Sequence, residues 1–449
     1  MTELLFDGER AYAHLHHLAV EIDGRLGGSD GERQAADYIA GYFRSLGLGV
    51  RQQEFPVRSY GLVEKQLLIL DPPLGEIPCE TVWLTDDTPP EGLEGEIYFL
   101  DTGAEEEIGP AVGGKIVLTL GGIRGAAYDR FMRFNPLAVI NIEMRVGTPP
   151  IRVEALPEVR SKVGAVPNLR ITHEDGIRLV KEDARRARLV VRTTEGDATS
   201  QNIIAELPGT VFPDEIVVIG GHYDTSIGIQ GASDNTGGTV LVMELARVFS
   251  QLGTQRTMRF VSWGAEELGL RGSVFYIQDL KKRDKAARQA EGFVKGRDKT
   301  ELEQHRLCVN LDVHGAILGE NHAMILGPAD LTAAARLLAK ETGMAHKVKE
   351  EVYSSDGTPL SEGGIPSISF SRSGGTTSYL HSPRDVIDWL RPEALERNGR
   401  FAELFLRRYV AEAAVLPFER KIPDEHRKKI REYFEKRLRI DYYADEEEA

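Results

Sequence analysis

Seven side chains in this sequence are of types that could do chemistry together. His222 and Asp224 stand two apart at the end of an apolar run, Ile216 to Ile219, that closes on Gly220-Gly221. Alternation along a strand puts i and i+2 on one face, so both can share one site. Asp234 follows a short loop broken by Gly228 and Gly231; Glu266 and Glu267 are adjacent; Asp312 and His381 come later. Imidazoles mixed with carboxylates suit zinc or a similar divalent ion. Five ligands exceed what one catalytic zinc with an open position takes. They fit two ions about 3.5–4 Å apart that share a bridging carboxylate. One of Glu266 and Glu267 is then left over. Neighbours in extended backbone point in opposite directions, so one can bind metal while a turn lets the other reach the bridging water. Two cations lower the pKa of that water toward about 7, and a glutamate can take its proton and pass it to a leaving amine. The reaction class is metal-assisted hydrolysis of an amide.

These residues need a frame to meet. From Ser200 onward, strand candidates (203–207, 215–220, 257–263, 307–313, 323–326, 367–371) alternate with helix candidates (239–250, 270–280, 331–342, 392–414). That pattern predicts an α/β fold, a mixed sheet flanked by helices. In such sheets sites gather at the carboxyl ends of strands, where His222, the Glu266-Glu267 pair and Asp312 all fall. Upstream, 8–22 reads as a helix carrying His14, His16 and His17, taken as partly exposed. A second helix starts at Ser29, whose spacing to Glu32 is that of a capping box. Between 59 and 194 short strand candidates recur among Gly and Pro clusters, predicting a mostly-β inserted domain. The expected division is 1–58 and 195–416 for the main domain, 59–194 for the insert, and 417–449 for a charged helix ending in Asp445-Glu446-Glu447-Glu448. His173, His305, His322, His346 and His426 read as surface residues, and His314 as a strand residue beside the site.

Composition narrows the classes. The chain has 449 residues, 41% hydrophobic and 28% charged, with formal net charge -15. That is an ordinary globular composition, and the charge argues against a nucleic-acid partner. No window approaches the roughly 18 apolar residues of a membrane span, so no membrane partner is expected. Cys79 and Cys308 allow no disulfide framework. No basic segment followed by an apolar one opens the chain, which predicts a cytoplasmic location unless a presequence has been removed.

Five blocks in order carry a resemblance: GGHYDT (220–225), ASDNTGG (232–238), WGAEELGLRGS (263–273), NLD (310–312) and YLHSPRD (379–385). The chain resembles the dizinc exopeptidase family of bacterial leucyl aminopeptidases, aminopeptidase Y and carboxypeptidase Q. The segment GRLGGSDGERQAADYIAGYFRSLGL resembles that family's N-terminal region. GKIVLTLGG and PLAVINI make the insert similar to a protease-associated (PA) domain. The resemblance implies the zinc-dependent exopeptidase fold and two Zn2+ per chain, with other divalent ions possible. His222 and Asp312 would hold one ion, Glu267 and His381 the other, and Asp234 would bridge. Glu266 would be general base and acid, and Asp224 would orient His222. Peptides would be the substrates, and a homo-oligomer is possible. Two departures stand out. Ser355-Asp356-Gly357 replaces a Ser-Asp-His-type triplet, and Leu380 separates Tyr379 from His381, so Tyr379 as an oxyanion donor is in question. Arg372 and Arg384 could meet a substrate carboxylate or serve as caps or ion pairs. An aminopeptidase is the leading expectation. A carboxypeptidase, a dipeptidase, a glutaminyl cyclase or a non-catalytic binding homologue are the alternatives.

Overall fold

A computed structural model describes residues 3–83, 85–154 and 157–438. The acidic end 445–448 lies outside the described residues. The chain divides into two compact units: 1–57, 198–377 and 385–433 in one, and 58–197, 378–384 and 434–449 in the other. The two boundaries flanking the insertion fall inside two long strands, Gly49–Asp71 and Arg186–Leu207.

The first unit contains α1 (Gly8–His16), α2 (Asp30–Ser45), the end of β1 (Arg186–Leu207), β2 (Phe212–His222), α3 (Gly238–Leu252), β3 (Arg256–Trp263), α4 (Arg271–Gln289), β4 (His305–Leu311), β5 (Glu320–Leu326), α5 (Ala329–Thr342), β6 (His346–Lys349), α6 (Gly357–Glu362), β7 (Ser367–Ser373) and α7 (Pro392–Leu406). Its strand order is β6-β5-β7-β4-β2-β3-β1. The pairs β2–β3, β2–β4 and β4–β7 are parallel; β3–β1 and β5–β7 are antiparallel. Parallel strands covered on both faces read as continuous apolar runs rather than alternating ones. Accordingly Val217, Val218 and Ile219 of β2, and Leu307 and Val309 of β4, are fully buried. Helix α3 is mostly apolar, and residues 238–246 are buried without exception. Helix α1 is capped by Asp7, which accepts from Glu9 and Arg10, and α7 begins with Pro at its first position, where the missing N–H costs nothing.

The second unit has its own core. Leu93–Phe99, Ile116–Leu120, Ala138–Ile142 and Asn168–Ile171 run parallel, with helices Gly125–Met132 and His173–Lys181 among them. Leu118, Ile140, Leu169 and Leu179 bury together. The charged tail does form a helix, Asp424–Glu432, continuing through Leu438 in a widened turn.

Some expectations fail here. His305 is buried, not exposed: it opens β4, with Nε2 2.7 Å from the Tyr276 hydroxyl and Nδ1 2.7 Å from Glu301 O. Burial pushes its pKa down to about 3. His426 lies on the apolar face of the tail helix four residues before Ile430 and is buried with it. Ser29 does cap α2 by accepting from Glu32 N, but the Glu32 carboxylate turns away from the cap to other partners. Arg372 is buried and spent on Ala316 O, Ile317 O and Asn321 Oδ1, and so is not open to a substrate carboxylate.

Candidate metal centre

His222 ends β2 and is buried. Its carbonyl accepts from Thr239 Oγ1 at 2.5 Å, which ties the strand end to the first turn of α3. Nδ1 lies 3.2 Å from Asp224 O and 3.5 Å from Asp224 Oδ1. Nε2 faces three carboxylates: Asp234 Oδ1 at 3.2 Å, Asp312 Oδ1 at 3.4 Å and Glu266 Oε2 at 3.9 Å.

Each of those carboxylates is placed by backbone held from elsewhere. Asp385 accepts Ser233 N and Asp234 N, both at 3.0 Å, and so fixes the turn before α3. Asn235 spans the same turn, donating to Leu311 O and accepting from Gly238 N and Val313 N. Asp312 follows β4 and donates its own N–H to Phe370 O of β7 at 3.1 Å. Glu266 and Glu267 sit between β3 and α4. Their N–H groups both bond the Asp224 carboxylate, at 2.9 and 3.1 Å. Asp224 therefore holds the loop of the glutamate pair more closely than it holds the imidazole. Ala265, just before the pair, has φ 51°, a left-handed turn that lets Glu266 aim at His222.

Among the described residues of the first unit, His222, Asp234 and Asp312 could together hold a metal ion, their ligand atoms within 4.8 Å of one another. Glu266 is not in this set, and His381 belongs to the second unit. The donor set fits a cation. One imidazole nitrogen cannot satisfy three carboxylates with one proton, and Asp312 Oδ1 is buried without a hydrogen bond. Burial opposes a charged His222, yet Glu266, Asp224, Asp234 and Asp312 outweigh it and hold the imidazolium well above its ordinary range. Burial raises Glu266 well above the usual carboxylate range, aided by Asp356, Glu267 and Asp312. A carboxyl with raised proton affinity is what acid–base work at neutral pH needs.

His381 has φ 58°, and its carbonyl accepts from Arg152 N at 2.6 Å. Tyr379, two residues before it, lies under the Arg384 guanidinium, 5.1 Å from the ring centre. Three further residues were not legible in the sequence. Burial, and then the charges of Asp312, Asp234 and Glu266, push the Tyr353 hydroxyl well above its ordinary range, and it bonds Ser371. Asp356 is buried, accepts from Ser273 Oγ at 2.6 Å, and is raised to about 7 by burial, with Asp312 and Asp224 adding. Glu32 is buried against Ala265. A lone Tyr in a polar loop and a Glu at a helix start carry no spacing signal; only the triplet 355–357 had pointed near this region.

Residues 202–406 match the model of peptidase family M28. Aminopeptidase YwaD of Bacillus subtilis (strain 168) is 26% identical over 411 residues, which are 88% of this chain and 84% of that one. Carboxypeptidase Q of Bos taurus is 27% identical over 297 residues, 60% of this chain and 61% of its own. Among solved structures, BSAP, a zinc aminopeptidase from Bacillus subtilis, superimposes with TM-score 0.72 at 25% identity, covering 94% of this chain and all of that one. A peptidase M28 precursor from Shewanella amazonensis SB2B shares the fold, with TM-score 0.76 at 23% identity over 92% of this chain and 95% of that one.

Proposed function

We propose that this chain, whose residues 202–406 match peptidase family M28, is a two-zinc aminopeptidase. His222 and Asp312 would hold one ion, Glu267 and His381 the other, with Asp234 between them. Zinc, when bound, supplies Lewis acidity and a water whose pKa falls toward about 7. The rest is the work of the chain. Glu266 takes the proton from the attacking water and gives it to the leaving amine. Asp224 keeps Glu266 and Glu267 facing their separate tasks. Tyr353, rather than Tyr379, donates its O–H to the oxygen that gains charge. The observation that carries this reading is that Glu266 stands 3.9 Å from His222 Nε2 yet is not in the set His222, Asp234 and Asp312 that could hold a metal ion.

Two points favour an amino-terminal preference. The similarity to a protein named an aminopeptidase runs through 88% of this chain, against 60% for carboxypeptidase Q. Arg372, a candidate partner for a substrate carboxylate, is already occupied. The inserted unit is read as PA-like on its sequence. The test is one peptide set with free, N-blocked and C-blocked ends, each with zinc and with chelator. Cleavage that needs zinc and stops on N-blocking is expected. Cleavage that survives N-blocking and stops on C-blocking would make the enzyme a carboxypeptidase.

A further inference from the structure

The four backbone N–H groups of residues 264–267, the stretch that presents Glu266, all bond buried side chains. Asn202 Oδ1 accepts from Gly264 N at 3.2 Å, and Asn202 Nδ2 donates to Gly272 O at 2.9 Å, so the loop's two ends are clipped together. Asp224 takes the N–H groups of Glu266 and Glu267. The remaining one, Ala265 N, is taken by Glu32 Oε1 at 3.1 Å. The same carboxylate accepts from Ser200 Oγ at 2.6 Å and from Gly28 N at 2.6 Å. Glu32 is 1% exposed and Ser200 is fully buried.

The local shapes match this contact. Ala265 is one of the few non-glycine residues with positive φ, a conformation that persists only where the surroundings over-determine it. A Cβ on Gly27 would stand 2.8 Å from the Ala265 Cβ, and one on Gly264 would stand 2.5 Å from Ser200 Oγ and 2.9 Å from Glu32 Oε1. Glycines thus clear the way for the N-terminal segment to press on the loop. A buried carboxyl with three donors on it, on an element far from the ligands in sequence, is a costly arrangement for capping one helix.

We infer that Glu32 is a positioning residue for the hydrolytic step: by holding Ala265 in its left-handed turn it sets where the Glu266 carboxylate meets the attacking water. The inference rests on the reading of Glu266 as the acid–base group. It predicts that Glu32→Ala lowers kcat at least about tenfold while leaving KM and bound zinc as in the wild type, since near-attack geometry is sensitive to small displacements. Glu32→Gln keeps an oxygen for Ala265 N and should recover most of the rate. In the metal-free protein, amide exchange at Ala265 should quicken in Glu32→Ala.

Glu32→Ala with undiminished kcat would overturn the inference. So would a loss of rate that only follows the unfolded fraction in a thermal melt. If Glu32→Ala does not fold, Glu32→Asp tests the same link by drawing the carboxylate back from Ala265 N: lower kcat at unchanged KM supports it, and full kcat overturns it. Glu266→Gln is measured alongside. If it keeps the wild-type rate, the acid–base reading falls and this inference falls with it. If it loses the rate while Glu32→Ala does not, only the positioning role fails.

Discussion

At the scale of single residues, the proposed site divides into groups that would meet a cation and groups that would aim them. The first kind, His222, Asp234, Glu267, Asp312 and His381, was named in the sequence from donor types and from the resemblance carried by five ordered blocks. The second kind was mostly hidden. Glu32 has the spacing of a helix cap to Ser29, a sufficient local explanation for it, and its bond to Ala265 spans 233 positions. Tyr353 is a single aromatic in a stretch of serines. Tyr353→Phe tests its part directly. If the O–H meets charge that develops only during reaction, kcat should fall about 100-fold with KM little changed. An unchanged kcat would return the role to another donor.

At the scale of elements, the strands were predictable because the middles of β2 (216–219) and β4 (307–309), and Phe260 and Val261 of β3, are buried on both faces and form short apolar runs. Their carboxyl ends were predictable for the same reason, since the runs stop where polar residues begin. Packing between elements was not. Gly238 opens α3, and a Cβ there would lie 2.1 Å from Leu311 O of β4 and 2.3 Å from Asn235 Oδ1. Gly238→Ala should cost at least about 1–3 kcal/mol in urea unfolding, because backbone cannot step aside. Gly41, within α2, meets nothing within 4 Å. Gly41→Ala should instead stabilise by about 0.5–1 kcal/mol by restricting the unfolded chain and favouring helix. Equal responses of the two variants would refute the packing account.

At the scale of the whole molecule, two units each bury their own apolar residues: Phe249, Phe260 and Phe405 in one, Leu118, Ile140 and Leu169 in the other. The change in texture near 59 and 194 was the hint of this in the sequence; the units part at 57/58 and 197/198, inside two long strands. Among the described residues no helix is long and apolar enough to cross a membrane. The central claim concerns the chemistry of Glu266, and one measurement addresses it most directly. Wild type and Glu266→Gln are loaded with zinc, metal per chain is counted, and hydrolysis of one amino-acyl anilide is timed for both. Two zinc ions on each protein with a rate at least about 100-fold lower in Glu266→Gln is the predicted result. A variant that carries the same zinc and keeps the wild-type rate would contradict it.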